Sequence, residues 1–570
     1  MSRPSHDYNG RWSRGAATIA VCLISLAGLL LPQLLTASRE RPQGQASDSA
    51  ATIRQIVDAG QLSDLRWPDF SDFRGQVNEF YQVLGYSPAW VRDGKATPQA
   101  EEMIRVLQAA DSKGLNAEDY DASRWSGRVA QLNDPAAAAK FDAAMTVCAL
   151  RYISALQLGR VTPKQVALGL SGKVPKHDFA QFLRERIANG QDLAAALAEV
   201  EPPFAGYKRT LAMLERYRNL AAQGEVEQLP AAGKSIDPGS QYAGVQLLAK
   251  RLQRVGDLPE NASLPADNTY GGALVDGVKR FQFRHGLNAD GRIGAQTLKQ
   301  LNVPASQRVE QLRLTLERWR WIPHEFPQPP IVVNIPEFQL RTYDANGRIA
   351  LTMNVIVGKA FRHQTPVFDR DMRYIVFRPY WNVPPSIQRS EIVPAIQKDR
   401  DYIAKKNYEV TTQGGQVVTS GTISDDILQQ LRAGKLAVRQ KPGPNNALGL
   451  VKLMFPNEYN VYLHSTPAPQ LFSQFRRDFS HGCIRVEKPD ELATWALRGN
   501  ADWTLERVRA TMQGSKDNVQ VNLTKPIPVL IIYGTAVVEE DGTPRFFDDL
   551  YGHDAALEKL LGQGYPYNRN

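Results

Sequence analysis

At Pro304 the chain changes rhythm, and that change constrains the fold more than any other feature. Before it, apolar residues recur at helical spacing, as in "TPQAEEMIRVLQAADSKGL" and "FDAAMTVCALRYISAL", which argues amphipathic helices. After it come "IVVNIPEFQLRTYD", "ALTMNVIVGK", "RYIVFRPYWNVP", "YNVYLHST" and "PVLIIYGTAVV". These are short runs of β-branched and aromatic residues bounded by Gly, Pro and Asn, and they read as strands. At about 100–200 residues per domain, 570 residues make three or four domains. The expected class is a multidomain α+β protein. A helical domain spans 53–235, a compact three-helix module 236–303, and a β-rich domain, sandwich or barrel-like, 329–536. Residues 39–52, "RERPQGQASDSAAT", read as a linker, and 537–570 as a C-terminal extension.

Two segments stand apart from that plan. Arg3, Arg11 and Arg14 precede the apolar run "AATIAVCLISLAGLLLPQLLTA", residues 16–37. Positive residues before such a run read as a secretory signal within 1–38 or as an uncleaved membrane anchor. Either way the rest of the chain is expected outside the cytoplasm, anchored in an inner membrane or released by cleavage. The second segment, 385–447, interrupts the β-rich domain. It is Lys- and Gln-rich, helical at first, and ends in "QKPGPNNALG", which makes it either a surface excursion or a lid. One helix of the β-rich domain, "KPDELATWALRG", is well punctuated by Pro489 and Gly499. The net charge of +9 is spread without Lys/Arg runs or a nucleic-acid motif, so no nucleic-acid partner is expected.

The module 236–303 carries "LAKRLQRVG", "VKRFQFRHGL" and "DGRIGAQTLKQLN". Val245, Leu248, Leu252 and Val255 form one helical stripe and Leu274, Val278 and Phe281 another, with Leu298 and Leu301 expected in the core. These stretches resemble the peptidoglycan-binding type 1 domain, which implies a role in holding cell-wall glycan or stem peptides.

The chain has only three cysteines. Cys22 lies in the apolar run. Cys148 shares a helical stripe with Phe141, Met145 and Tyr152 and reads as core. Cys483, in "FSHGCIRVEKP", has no evident partner. A thiol becomes a nucleophile when a base takes its proton or a positive neighbour lowers its pKa. Two histidines are candidates for that base: His481, two residues away, and His464, at the end of "YNVYLHS". Gly482 permits close approach to a reacting carbonyl, so the amides around Gly482–Cys483 could stabilise an oxyanion. Arg485 supplies a fixed positive charge able to hold a carboxylate. A zinc site would need more Cys and His than the region offers, and no metal is expected. A structural cysteine under a strand is the plainer alternative.

"YLHSTP" followed by "FSHGCIRV" resembles the YkuD-type L,D-transpeptidase motif. "VNIPEFQL", "NVIVGKAFRHQTPVF" and "RPYWNVPPSI" are similar to its large YcbB-type Gram-negative subgroup. The resemblance covers most of residues 55–555, including a helical scaffold domain and an inserted lid. It implies that Cys483 is the nucleophile and His464 its base, oriented by the backbone carbonyl of Ser465. It implies that His481 shapes the site and assists the oxyanion end, and that Tyr380 and Trp381 wall the stem peptides. No cofactor is implied. The implied reaction is attack on a tetrapeptide stem, loss of D-Ala, a thioester on Cys483, and a 3→3 cross-link to a second stem. The implied partners are peptidoglycan stem peptides, cell-wall synthases and, as inhibitors, carbapenem-type β-lactams. Thioester hydrolysis (a carboxypeptidase) and attachment or release of a lipoprotein use the same motif. A non-catalytic wall-binding scaffold is the rival of another class.

Overall fold

The computed structural model describes residues 43–567, apart from 172–177, 225–226, 232 and 266. The apolar segment 16–37, expected as signal or anchor, lies outside the described residues. Among those residues no helix is long and apolar enough to cross a membrane.

The N-terminal region is helical except for a small hairpin of β1 (Val91–Arg92) and β2 (Lys95–Ala96). A helix starts at Gln43 and runs to Ala59, so much of the expected linker 39–52 is helical. Ile53 and Val57, fully buried, fix this helix to the core and extend the domain towards the N-terminus. The helix Pro135–Leu158 is buried along most of its length. Pro135 opens it, and the Asp134 side chain accepts from the N–H groups of Ala136 and Ala137. Cys148 lies within this core. Burial pushes its thiol far above the usual range.

The module's three helices, Val245–Val255, Ala273–Arg284 and Ala295–Leu301, enclose Val245, Leu248, Leu252, Leu274, Val278, Phe281 and Leu301. Leu298 and Val255 are only half-buried at its rim. The next helix, Ala305–Trp319, packs Leu312 and Leu316 against Tyr207, Met213 and Leu214 of the helix Ala205–Ala222. Its Glu317 is completely buried. The Glu317 carboxylate accepts from the N–H groups of Arg160 and Val161 and from the guanidinium groups of Arg160 and Arg320.

The strands of the β-rich half are β3 (Ile331–Asn334), β4 (Gln339–Tyr343), β5 (Ile349–Gly358), β6 (Phe368–Phe377), β7 (Trp381–Asn382), β8 (Tyr408–Thr412), β9 (Val417–Thr419), β10 (Leu436–Gln440), β11 (Val451–Met454), β12 (Leu463–His464), β13 (Asp478–Ser480), β14 (Ile484–Val486), β15 (Val519–Ile532), β16 (Ala536–Val538) and β17 (Pro544–Phe546). The main sheet runs β13-β5-β14-β12-β11-β6-β15-β3-β4, and β4 also pairs with β5. The sheet therefore closes on itself as a barrel. Alternation along the strands turns Val355, Val357, Ile375, Leu453, Leu463 and Ile484 inward. Their neighbours in sequence face out.

The insertion is more ordered than a loop with a helical start. Helical turns Gln388–Ile392, Val393–Lys398 and Tyr402–Lys405 and the helix Asp425–Arg432 pack on a second sheet, β7-β10-β8-β9. Ile396, Ile403, Val410, Leu431 and Val438 form its own core. Its boundary also lies earlier than residue 385, because β7 pairs Trp381 with Gln440.

Residues 537–570 are not a mere extension. Leu557, Tyr565 and Tyr567 are buried in the barrel's core cluster. Tyr565 donates to Asp72 (2.5 Å) and Tyr567 to Asp119, both in the helical region.

Candidate active site

Three neighbouring strands build the site. Antiparallel β11 and β12 place Lys452 opposite His464, and parallel β12 and β14 place His464 opposite Arg485. Cross-strand partners share a face. Leu453, Leu463 and Ile484 point into the barrel core, so Lys452, His464 and Arg485 form one outward row. The same alternation puts Tyr462 on the His464 face. Ile484 N–H donates to the Tyr462 carbonyl (3.1 Å), which brings Cys483 beside Tyr462.

The turn that presents Cys483 is held by Ser480. Its hydroxyl donates to the Cys483 carbonyl (2.5 Å) and accepts from the Gly482 N–H (3.1 Å). Gly482 has φ +113°, which L-residues rarely adopt, while a Cβ there would meet nothing closer than 3.7 Å. Glycine is required by backbone conformation and not by space. The Gly482 carbonyl accepts from Thr365 Oγ1 (2.7 Å), which in turn accepts from the Gly358 N–H (2.9 Å). Tyr551 donates to the Gly358 carbonyl (2.6 Å), so the C-terminal segment buttresses the turn.

His464 is buried, and its Nδ1 lies 2.5 Å from the Ser465 carbonyl oxygen. A carbonyl only accepts, so Nδ1 carries the proton and Nε2 presents a lone pair. Burial first, and then the Arg485 charge, push the His464 pKa down to about 3, with Lys452 adding to the effect. The imidazole is therefore neutral near pH 7. The Cys483 thiol is half-buried, and its Sγ lies 3.6 Å from the Asn460 carbonyl oxygen. Burial raises its pKa, against hydrogen bonds from Tyr462 and the charges of Lys452 and Arg485. At rest the thiol and the imidazole, carried on the paired β12–β14 edge, are both neutral.

Two expected roles change. The Gly482 N–H is engaged by Ser480, so of the two amides expected to stabilise an oxyanion this one is taken. His481 is exposed, and its Nε2 lies 2.6 Å from Glu391 Oε1 of the insertion. The tight turn through Gly482 separates His481 from Cys483 and directs it to the insertion. His363 lies tilted against it, ring centroids 4.7 Å apart, and burial followed by the proximity of His481 holds His363 below the usual imidazole range.

Trp381 packs against both the barrel core and the insertion's core. It also lies near the Tyr462 hydroxyl, which links it to the Cys483 neighbourhood. Tyr380 lies under the Arg439 guanidinium of β10, 4.4 Å from its ring centre, and serves the insertion. Sequence reasoning missed Tyr462, Lys452, Thr365 and Glu391. For Tyr462 a signal existed, since it stands two residues before His464 on a strand.

A buried, oriented imidazole and a half-buried thiol on a braced turn make this a cysteine-centred candidate active site. A family model described as "L,D-transpeptidase catalytic domain" matches residues 329–521. "Scaffold domain" matches 75–214, and "Putative peptidoglycan binding domain" matches 241–301. A curated relative from Haemophilus influenzae, named "Putative L,D-transpeptidase", is 32% identical over 290 residues. The alignment covers 50% of this chain and 57% of the relative, so the chain spans little more than half of that protein's length. A solved L,D-transpeptidase fragment (residues 123–326) from Xylanimonas cellulosilytica matches at 17% identity and a TM-score of 0.17, over 53% of this chain and all of that one. That likeness is too slight to bear on the fold. The chain thus carries, in this order, regions similar to a scaffold domain, a peptidoglycan-binding domain and an L,D-transpeptidase catalytic domain.

Proposed function

We propose that the protein is a peptidoglycan L,D-transpeptidase that forms 3→3 cross-links through a thioester on Cys483. The observation that carries this reading is the pairing of β12 with β14, which sets the oriented His464 beside the strand that directly follows Cys483. In the first step Sγ attacks the carbonyl between the L-centre of the donor's diamino acid and D-Ala, and its proton passes to His464 Nε2. The tetrahedral intermediate collapses, the C–N bond breaks, and D-Ala leaves with the proton from His464. In the second step an acceptor side-chain amine attacks the thioester and gives its proton to His464. The C–S bond breaks and the thiol regains that proton. The free lone pair of Nε2 suits both transfers. The Cys483 N–H, next to the engaged Gly482 amide, is the oxyanion donor in this reading.

The insertion acts as a lid that excludes water from the thioester. Its own core and its Glu391–His481 contact support a unit that closes as one body. The module 236–303 holds wall polymer, and carbapenem-type β-lactams acylate Cys483. The protein acts in the periplasm, anchored by 16–37 or released from that segment, alongside cell-wall synthases.

Muropeptide mass spectrometry of cells expressing the wild type or Cys483→Ala tests the reading. New 3→3 dimers that vanish in Cys483→Ala are expected. Tripeptides without dimers would replace transfer by hydrolysis, and an unchanged profile would leave only a wall-binding scaffold.

A further inference from the structure

Lys452 was invisible in the sequence and has no role in the chemistry above. It stands on the outward row directly across from His464, with Arg485 on the other side. Strand spacing of about 4.8 Å puts the Lys452 and Arg485 backbones roughly 10 Å apart, within reach of two long side chains turned to one point above the imidazole. The Lys452 ammonium lies 3.9 Å from the centre of the Tyr462 ring, and Tyr462 adjoins Cys483. Both cations are at least half-withdrawn from water. Among the described residues neither has a carboxylate partner; the titratable groups they face are the Cys483 thiol and the His464 imidazole. The Arg485 Nε is buried with no acceptor. Two desolvated cations without a counter-charge are costly to hold. They make a site that an anion would complete.

We infer that Lys452 and Arg485 form a subsite for the free carboxylate that ends the donor stem, with Lys452 as a specificity-determining residue. This rests on the transpeptidase reading. An enzyme that cleaves one residue from a chain end must recognise that end. The mark of the end is a carboxylate only a few bonds beyond the carbonyl that Cys483 attacks. Binding has a second effect. The groups facing His464 are Arg485 from β14, Lys452 from β11, and Cys483 and Tyr462 at its flank. A carboxylate between the two cations screens the charges that disfavour the imidazolium, so the base strengthens when the correct chain end is in place.

The test compares two donors with the full chain: a stem tetrapeptide with a free C-terminal carboxylate, and the same peptide as its C-terminal amide. A charge-assisted contact contributes about 1.5–3 kcal/mol, so the wild type should prefer the free acid roughly 10–100-fold in kcat/KM. Lys452→Met should bring the ratio of kcat/KM for acid over amide close to one, chiefly by losing the acid substrate. Lys452→Arg should restore the preference. Unchanged thermal unfolding and retained iodoacetamide alkylation of Cys483 in Lys452→Met would show an intact site. Equal loss on both donors, or a wild type that uses them equally, overturns the subsite but leaves transpeptidation standing. A wild type that turns over neither donor overturns both.

Discussion

The molecule holds two groups of cations with opposite electrostatics. At the joint between the helical region and the helix Ala305–Trp319, Arg160 and Arg320 enclose the Glu317 carboxylate, which also takes two backbone N–H groups. That joint contains its own counter-charge, one carboxylate between two guanidinium groups, and the arginines hold Glu317 below the usual carboxylate range despite its burial. On the barrel face Lys452 and Arg485 flank His464 with no acid between them among the described residues, and burial, then these charges, push the imidazole down. The first group is complete within the chain and holds domains together. The second is incomplete and waits for something from outside. Balance, more than burial, separates structural from receptive charge.

The largest effect should follow from removing the group at the centre of the unbalanced row. His464→Ala should lower transpeptidation by about 10²–10⁴-fold with little change in thermal unfolding, measured on the same purified protein. A comparable loss of stability would make the row structural and erase the contrast. Glu317→Gln probes the balanced group. It leaves two buried guanidinium groups without their counter-charge and should cost about 3–5 kcal/mol in denaturant unfolding. Because Glu317 titrates lower in the folded state, its contribution is present above the ordinary carboxylate range and fades as the pH falls towards its depressed value. A variant as stable as the wild type would show that the joint gains nothing from neutralisation. The smallest effect belongs to Glu391→Gln. Its contact with His481 is largely exposed, so its worth is below about 1 kcal/mol. It should raise the ratio of hydrolysed to transferred thioester by no more than about five-fold. A much larger rise would mean that this pair controls closure of the insertion.

Much of this was legible because it depends on local pattern. Helical and strand periods located the module and most barrel strands. "SHGC" announced its turn, since Ser480 and Gly482 answer requirements visible within four residues. His464 before Ser465 needed only its neighbour's carbonyl. Lys452 was not legible because its meaning comes from strand register, which no single strand encodes. The sheet of the insertion was missed although "YEVTT" and "KLAVRQ" alternate. Lys, Gln and Gly around them weakened the strand signal, and Tyr408, Val410 and Val438 gain their burial from one another. The C-terminal residues read as an appendage because Tyr565 and Tyr567 find their partners across the whole chain. The scaffold's early start was hidden in "QGQASDSAAT", where small polar residues suit a linker and a helix equally.

The parallel pairing of β15 with β3 has a consequence for how the polypeptide reaches this state. It joins Val529 to Ile331, about two hundred positions apart, and such a closure is slow because its entropy must be surrendered before its contacts form. The sheet β7-β10-β8-β9, by contrast, is assembled from one contiguous stretch. The insertion should therefore acquire protected amides before the barrel does, and pulse-labelling hydrogen exchange during refolding should record the nucleophile's turn among the last segments to become rigid.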